Sequence, residues 1–178
     1  EKRDPYTAGH QECVAELSVA IGRKMGWDDF KLQGLRLGAM IHDIGKISVP
    51  SEILNRPGGL SEPEFAIIKS HAQVGYEILA KTSFPWPIKE MVHQHHERLD
   101  GSGYPNGLRG DQIIDEAKVI GVADVVDAIL SHRPYRPSRG VEAALSEIER
   151  GRGTLYEPSV VDACLALVRE DGYKLGKP

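Results

Sequence analysis

The chain has 178 residues, of which 40% are hydrophobic and 27% are charged, and its formal net charge is −4 at pH 7. This length suffices to bury a continuous core, and we expect residues 1–178 to form a single domain. No apolar run approaches the roughly 20 residues that cross a bilayer, and no block of like charge favours nucleic-acid binding.

The first predicted helix spans residues 7–25, because apolar residues recur there at three- and four-residue steps and form one buried stripe. The stripe consists of Val14, Leu17, Ile21 and Met25. A second helix is predicted over residues 28–45, since the carboxylates of Asp28 and Asp29 suit a helix N-terminus. We expect this helix to end near Gly45.

Residues 48–60 are rich in proline and glycine, which predicts a loop with at most one helical turn. The pattern that follows is typical of a helix start. Ser61 and Glu64 have capping-box spacing, and Pro63 lies within the first turn. We therefore predict a helix over residues 61–80.

A Phe-Pro-Trp-Pro segment at residues 84–87 interrupts the chain, and the next helix is predicted over residues 88–97. Residues 100–111 are glycine-rich and predict an ordered loop. Further helices are predicted over residues 113–130, 141–150 and 158–170. No alternating run of β-branched residues supports a sheet. The sequence thus predicts an all-α fold, a helical bundle with two long irregular loops.

Each of five successive predicted helices or helix ends contributes one histidine or aspartate, or an adjacent pair, that could bind metal. These residues are His10, His42, Asp43, His71, His95, His96 and Asp124. Helical bundles build metal sites from side chains that converge from facing helices. Neutral imidazoles and carboxylates are the ligands of catalytic divalent metals, so the sequence predicts such a site in the bundle core.

The adjacent pairs favour two ions over one. Consecutive residues on a helix diverge by about 100°, so one ion cannot easily take both members of a pair. Two ions that share the Asp43 carboxylate can. We assign one ion to His10, His42, Asp43 and Asp124. We assign the other ion to Asp43, His71, His95 and His96.

Each of these residues has an alternative interpretation when it is considered alone. An isolated histidine such as His10 or His71 is more often a surface residue or a hydrogen-bonded core residue. An aspartate such as Asp124 is more often a capping or surface group. Considered together, however, so many buried polar groups cost several kcal/mol unless they are bonded or metallated.

Other candidates in the same segments receive structural interpretations. His93 precedes His95 by two positions, so it belongs on the far side of the helix as a structural or exposed residue. His132 is ambiguous. We expect Asp127 to be structural, and Cys13 to be a small buried side chain one turn from His10.

Three motifs resemble those of the HD-GYP domain, a bacterial branch of the HD phosphohydrolase superfamily. The motifs are His-Asp-Ile-Gly-Lys at residues 42–46, His-His-Glu at residues 95–97 and Asp-Gly-Ser-Gly-Tyr-Pro at residues 100–105. Further likeness occurs at residues 4–10, at His71, at residues 123–128 and at residues 133–136. Some family members carry a glutamate where this chain has Tyr6, so the resemblance implies two metals and leaves a third in doubt.

The resemblance implies hydrolysis of cyclic di-GMP to linear pGpG, and a repetition of the same step on pGpG would give GMP. A hydroxide that bridges two divalent ions is a strong nucleophile near neutral pH. Iron or manganese is the expected metal, with nickel, cobalt or zinc as alternatives. Two other functions stay open, namely hydrolysis of another cyclic dinucleotide or nucleotide, and a non-catalytic cyclic di-GMP sensor or docking module.

Several residues near the predicted ligands suit the handling of a phosphodiester. Asp43 and Lys46 are the predicted catalytic residues, and Lys46 is placed to pair with a phosphate. The resemblance adds Arg133 and Arg136 as phosphate clamps, and guanidinium geometry suits that task. Tyr104 lies in a glycine-rich loop and could contact the nucleotide. We expect two further acidic residues, Glu97 and Asp100, to orient the histidine pair and the loop.

The expected partners follow mainly from the same resemblance. They are a cyclic dinucleotide substrate, an upstream sensory or receiver domain, and a protein bound at the GYP loop, such as a diguanylate cyclase domain. No nucleic acid and no membrane contact are expected. The chain begins with Glu1 rather than Met, and we expect it to be part of a longer protein. Its two distant cysteines, Cys13 and Cys164, fit a reducing cytoplasm.

Overall fold

The computed structural model describes residues 9–54, 56, 58–131 and 140–176. Within these residues the secondary structure is helical, with isolated β-bridges and no strand. The helices are α1 (His10–Lys24), α2 (Asp29–Ile41), α3 (Ser51–Leu54), α4 (Glu62–Lys69), α5 (His71–Leu79), α6 (Ile88–Gln94), α7 (Asp115–Leu130), α8 (Val141–Arg150) and α9 (Pro158–Arg169). Two short 3₁₀ helices cover Ile44–Ser48 and Gly110–Gln112. The all-α prediction is confirmed.

Helix α7 forms the centre of the bundle, where it packs against α1, α2, α6, α8 and α9. Its side chains are buried on nearly every side beyond the first turn, including Val119, Ile120, Val122 and Val126. A helix that is apolar all round is stable only when other helices cover it. Asp124 lies in this central helix, so its position is fixed by the packing of the surrounding helices against α7.

The predicted helix over residues 28–45 is too long. Helix α2 ends at Ile41, and the chain turns through His42 and Asp43 into the 3₁₀ helix. The reason is the close contact of Gly45 with α5, where a Cβ atom on Gly45 would lie 1.9 Å from the His71 carbonyl oxygen. The backbone must leave the direction of α2 to reach this contact. The His-Asp pair consequently lies after the helix, not on it.

The predicted helix over residues 61–80 is also divided. It starts as expected, because the Glu64 carboxylate accepts hydrogen bonds from the Ser61 backbone N–H at 2.9 Å and hydroxyl at 2.7 Å. It then breaks at Ser70, whose hydroxyl donates to the Ile67 carbonyl at 2.7 Å. A serine that bonds back to the preceding turn often bends a helix. The break makes His71 the first residue of α5.

The remaining boundaries differ by smaller amounts. Helix α1 begins at His10 after Gly9, which has a positive φ of 80°, and residues 7 and 8 lie outside the described residues. Helix α6 ends at Gln94 instead of continuing to residue 97. The predicted loop at 48–60 contains the single-turn helix α3, as expected. None of the helices in the described ranges has the length and apolar character needed to cross a membrane.

Candidate metal centre

The predicted ligands converge in the core because most of them lie at helix ends that face one another. His10 is the first residue of α1, and His71 is the first residue of α5. The pair His42–Asp43 follows α2, and the pair His95–His96 follows α6. Asp124 completes the group from the middle of α7. All of these residues are buried or half-buried.

The donor atoms form two groups that share one carboxylate. In the first group, atoms of Asp43, His71, His95 and His96 all lie within 4.8 Å of one another. The second group, defined by the same limit, contains His10, His42 and Asp43. Asp124 adjoins the second group, since its Oδ1 atom lies 3.1 Å from His10 Nε2 and 3.9 Å from His42 Nε2. Asp124 also approaches the first group, since its Oδ2 atom lies 4.0 Å from His96 Nδ1. The predicted residues thus lie together, and their division between two ions stays a prediction.

Backbone hydrogen bonds fix the direction of three imidazoles. The Nδ1–H groups of His42, His71 and His95 each donate to the carbonyl oxygen three residues earlier, at distances of 2.6, 2.7 and 2.7 Å. A carbonyl oxygen only accepts, so Nδ1 must carry the proton. In a neutral ring the Nε2 lone pair is then directed away from the helix and into the centre. Metal-binding histidines are commonly oriented by such a bond.

Two buried polar atoms in the centre have no hydrogen-bond partner among the described residues. They are His42 Nε2 and Asp43 Oδ1. Buried polar atoms are nearly always hydrogen-bonded, so an unpartnered pair needs an explanation. Each atom carries a lone pair that can bind a divalent cation. Both atoms belong to the two donor groups that share Asp43. The residues therefore fit a bound metal.

The electrostatics of the first group keep its imidazoles neutral. Burial lowers the pKa of His95 well below its usual value, and it lowers the pKa of His96 to about 3. Burial alone would raise the pKa of Asp43, but His42 and Lys46 outweigh it and hold that pKa well below the usual range. Near neutral pH the first group thus offers neutral nitrogen donors beside the ionised Asp43 carboxylate. In the second group, carboxylates outweigh burial and raise the pKa of His42, and they raise that of His10 to about 9, so a metal that binds there must displace protons.

Asp127 contributes to the site in a way that the sequence did not reveal. Its Oδ2 atom accepts a hydrogen bond from His10 Nδ1 at 2.6 Å, and it also accepts one from the Ser131 hydroxyl at 3.1 Å. The bond directs His10 Nε2 towards Asp124. Asp127 is structural, as expected, but its effect falls directly on a predicted ligand. The only signal was its spacing of three residues from Asp124, which places both carboxylates on one side of α7.

Lys46 and Tyr104 both lie against the centre. The Lys46 ammonium donates to Asp43 Oδ2 at 2.6 Å, and the lysine is half-buried. The Tyr104 ring stacks on the His96 imidazole with a centroid distance of 4.6 Å and an interplanar angle of 28°. The predicted phosphate clamps Arg133 and Arg136 lie outside the described residues, as do Tyr6 and His132.

Glu97 organises the loop that carries Tyr104. Its buried carboxylate accepts hydrogen bonds from the backbone N–H groups of Asn106 at 2.8 Å and Leu108 at 2.9 Å. The other predicted orienting residue, Asp100, is exposed, and its carboxylate accepts hydrogen bonds from the backbone and hydroxyl of Ser102. Glu97 therefore anchors the loop to the end of α6, whereas Asp100 shapes only a turn within the loop.

His93 lies apart from the donor groups. Its Nε2 atom is 2.8 Å from Gln73 Oε1, and its ring packs on Tyr76 with a centroid distance of 4.6 Å. Both partners belong to α5. This position agrees with the expectation that His93 occupies another side of α6 than the one facing the metal ligands.

Comparison with known proteins gives consistent matches over nearly the whole chain. The sequence profile of the family described as "HD domain" matches residues 1–160. A cyclic di-GMP phosphodiesterase of Thermotoga maritima is 42% identical over 172 residues, which cover 96% of this chain and 47% of that protein. The 3'3'-cGAMP-specific phosphodiesterase 3 of Vibrio cholerae is 38% identical over 170 residues, which cover 96% of this chain and 36% of that protein.

A solved structure supports the fold. Bd1817, an HD-GYP protein from Bdellovibrio bacteriovorus, superposes with a TM-score of 0.75 at 24% identity, over 90% of this chain and 51% of that one. The chain spans less than half the length of the curated relatives described above.

Proposed function

Because the chain belongs to the HD domain family, as a member of its HD-GYP branch, we propose that it is a metal-dependent phosphodiesterase that hydrolyses cyclic di-GMP to linear pGpG. The observation that carries this proposal is the pair of donor groups that share Asp43. Two divalent cations held side by side are suited to the displacement of a phosphodiester oxygen.

We assign the metal ligands as the sequence predicted them, with two ions of iron or manganese. When bound, these ions supply a water of lowered pKa and neutralise the charge of the phosphodiester. The residues of the chain then hold the donors in place. Asp127 orients His10, and the backbone carbonyls behind His42, His71 and His95 fix the other rings.

Lys46 and Tyr104 handle the substrate in this proposal. Lys46 donates to Asp43 and lies at the edge of the centre, so its ammonium can pair with a phosphodiester oxygen next to the shared carboxylate. Tyr104 covers His96 and presents the edge of its ring and its hydroxyl to a bound nucleotide. Burial raises the pKa of the Tyr104 phenol, so that hydroxyl stays protonated and can donate a hydrogen bond.

The test is anaerobic turnover of cyclic di-GMP by protein reconstituted with Mn²⁺ or Fe²⁺, with the products separated by chromatography. We expect pGpG to accumulate first, and its later conversion to GMP would show a second cleavage by the same centre. Cyclic di-GMP left intact while a nucleotide monoester is consumed would overturn the proposal. Tight binding without any cleavage would identify a sensor or docking module instead.

A second candidate substrate is 3'3'-cGAMP. The Vibrio cholerae relative that is named for this activity is 38% identical to the chain, close to the value for the cyclic di-GMP enzyme. The same assay with both nucleotides in competition separates the candidates. We also propose that an upstream sensory domain or a protein partner at the GYP loop controls the activity.

A further inference from the structure

Lys69 occupies an unusual position at the edge of the metal centre. It lies in the last turn of α4, two residues before His71. Its ammonium is 4.7 Å from the centroid of the Phe65 ring and 5.5 Å from the centroid of the Tyr104 ring. The lysine is half-buried. Aromatic faces attract a cation and hold it in place, so the ammonium has a defined location.

The two rings connect Lys69 to the donor groups. Tyr104 stacks on His96, so the Lys69 ammonium is separated from a predicted ligand by a single aromatic ring. No carboxylate of the described residues lies within 4.0 Å of this ammonium. Lys46 differs in this respect, because it already donates to Asp43. Lys69 is therefore a lysine at this edge whose charge no carboxylate of the described residues neutralises, so it is available to a second anion.

A cyclic dinucleotide contains two phosphodiesters, and only one of them can occupy the metal centre at a time. The other phosphodiester carries a full negative charge. That charge is either paired with a cationic side chain outside the centre or solvated by water alone. Resting on the function proposed above, we propose that Lys69 binds the phosphodiester that is not being cleaved. It is thus a substrate-binding residue that favours cyclic dinucleotides over simpler phosphate esters.

The chain contains a similar arrangement that provides a matched control. Lys89 lies 5.6 Å from the centroid of the Tyr76 ring, and that ring packs on His93 at 4.6 Å. His93, Tyr76 and Lys89 are thus stacked in space in the same order as His96, Tyr104 and Lys69. Because His93 lies apart from the donor groups, loss of the Lys89 charge should leave substrate binding unchanged.

The experiment compares the variants K69M, K69R and K89M with the wild-type protein in steady-state hydrolysis of cyclic di-GMP. Methionine keeps most of the length and packing of the lysine stem but removes the charge. We expect K69M to raise KM about tenfold, equivalent to about 1.4 kcal/mol of binding, while kcat stays close to the wild-type value. K69R retains the charge, so its KM should be close to that of the wild type, as should that of K89M.

Each outcome has a distinct meaning. A K69M protein with unchanged KM and normal metal content overturns the role of Lys69 while leaving the phosphodiesterase assignment intact. A fall in kcat for both K69M and K69R, with KM unchanged, also overturns it, because the position would then act through the packing around His71. If the wild-type protein consumes no cyclic dinucleotide, the proposed function fails and the inference about Lys69 fails with it.

Discussion

The Nε2 atoms of His71 and His95 face each other at 3.5 Å in the core. Both rings commit their Nδ1–H groups to backbone carbonyls, so neither neutral ring has a proton to donate across this gap. The pKa of His71 is lowered mainly by burial, and that of His95 lies well below its usual value for the same reason. Two lone pairs directed at one another are unfavourable unless a cation lies within reach of both.

The shared carboxylate is the first point to test. We expect D43A to lose most of its bound metal and all turnover, because Asp43 belongs to both donor groups. H93A should retain both properties, since His93 contacts Gln73 and Tyr76 instead. Elemental analysis after anaerobic reconstitution, combined with the turnover assay, measures both effects. Equal losses in the two variants would mean that the site has been placed wrongly.

The hydrogen bond from His10 to Asp127 predicts an indirect effect on metal affinity. D127A removes the carboxylate that directs His10, so we expect metal affinity to fall about 10- to 100-fold. D127N keeps an acceptor oxygen and should have an intermediate affinity. S131A removes the other hydrogen bond to the same carboxylate and serves as the control. A competition titration with a chromophoric chelator measures these affinities, and D127A with wild-type affinity would refute the role of Asp127.

The two acidic residues of the HHE and GYP segments should differ in their effect on stability. E97A leaves two partly buried backbone N–H groups without an acceptor, and we expect a loss of about 1.5–3 kcal/mol in the free energy of unfolding. D100A removes an exposed side chain, so its effect should stay within about 0.5 kcal/mol. Urea denaturation of both variants is the measurement. The opposite order would contradict the assignment of Glu97 as the anchor of the loop.

Gly45 should tolerate no side chain. An alanine there would place its Cβ atom 1.9 Å from the His71 carbonyl oxygen and 2.6 Å from the Gly75 nitrogen. We expect G45A to lose about 1–3 kcal/mol or more of stability, and also to lose metal because His71 is displaced. In the control G59A, the new Cβ atom has no heavy atom within 4 Å. Its stability and metal content should equal those of the wild type, and a G45A protein that behaves the same way would disprove the close contact.

The two cysteines should differ in reactivity. Burial raises the pKa of the Cys164 thiol to about 12, so the thiol stays protonated at pH 8 and reacts slowly. Cys13 is half-exposed, and we expect a disulfide reagent to modify it first. Denaturant should make both thiols reactive. Rapid modification of Cys164 in the native C13S variant would contradict the burial of this thiol in the core.

The same thiol predicts a trend in stability at high pH. Because the folded-state pKa lies above that of the unfolded chain, ionisation above pH 9 occurs first in unfolded molecules. The contribution of Cys164 to stability is therefore complete below pH 9 and declines as the pH rises towards 12. C164A should show a weaker decline over this range in urea denaturation.

The sequence predicted the identity of the converging residues better than it predicted where the helices end. Periodicity finds a buried stripe, and the Ser61–Glu64 pattern correctly located the start of α4. The break after Ile41 was not predicted, because its cause is the contact between Gly45 and α5, which periodicity cannot reveal. The break at Ser70 was missed for a related reason, since a single serine inside an apolar helix has no distinctive spacing.

These boundary errors affected the argument for two ions. That argument placed each adjacent pair on a helix, where neighbouring side chains diverge. Both pairs in fact follow the ends of α2 and α6. The donor atoms still come together around Asp43, and their division between two ions stays a prediction. Asp127 was underestimated because its importance depends on the distance to His10, and no local pattern contains that distance.

The donors reach the core from points scattered between His10 and Asp124, so no short stretch of a nascent polypeptide contains a complete coordination set. A complete site therefore exists only in the folded chain, and metal binding stabilises that fold. The folded protein would then select its ion both by the affinity of the site for each metal and by the concentration of that metal in the cell.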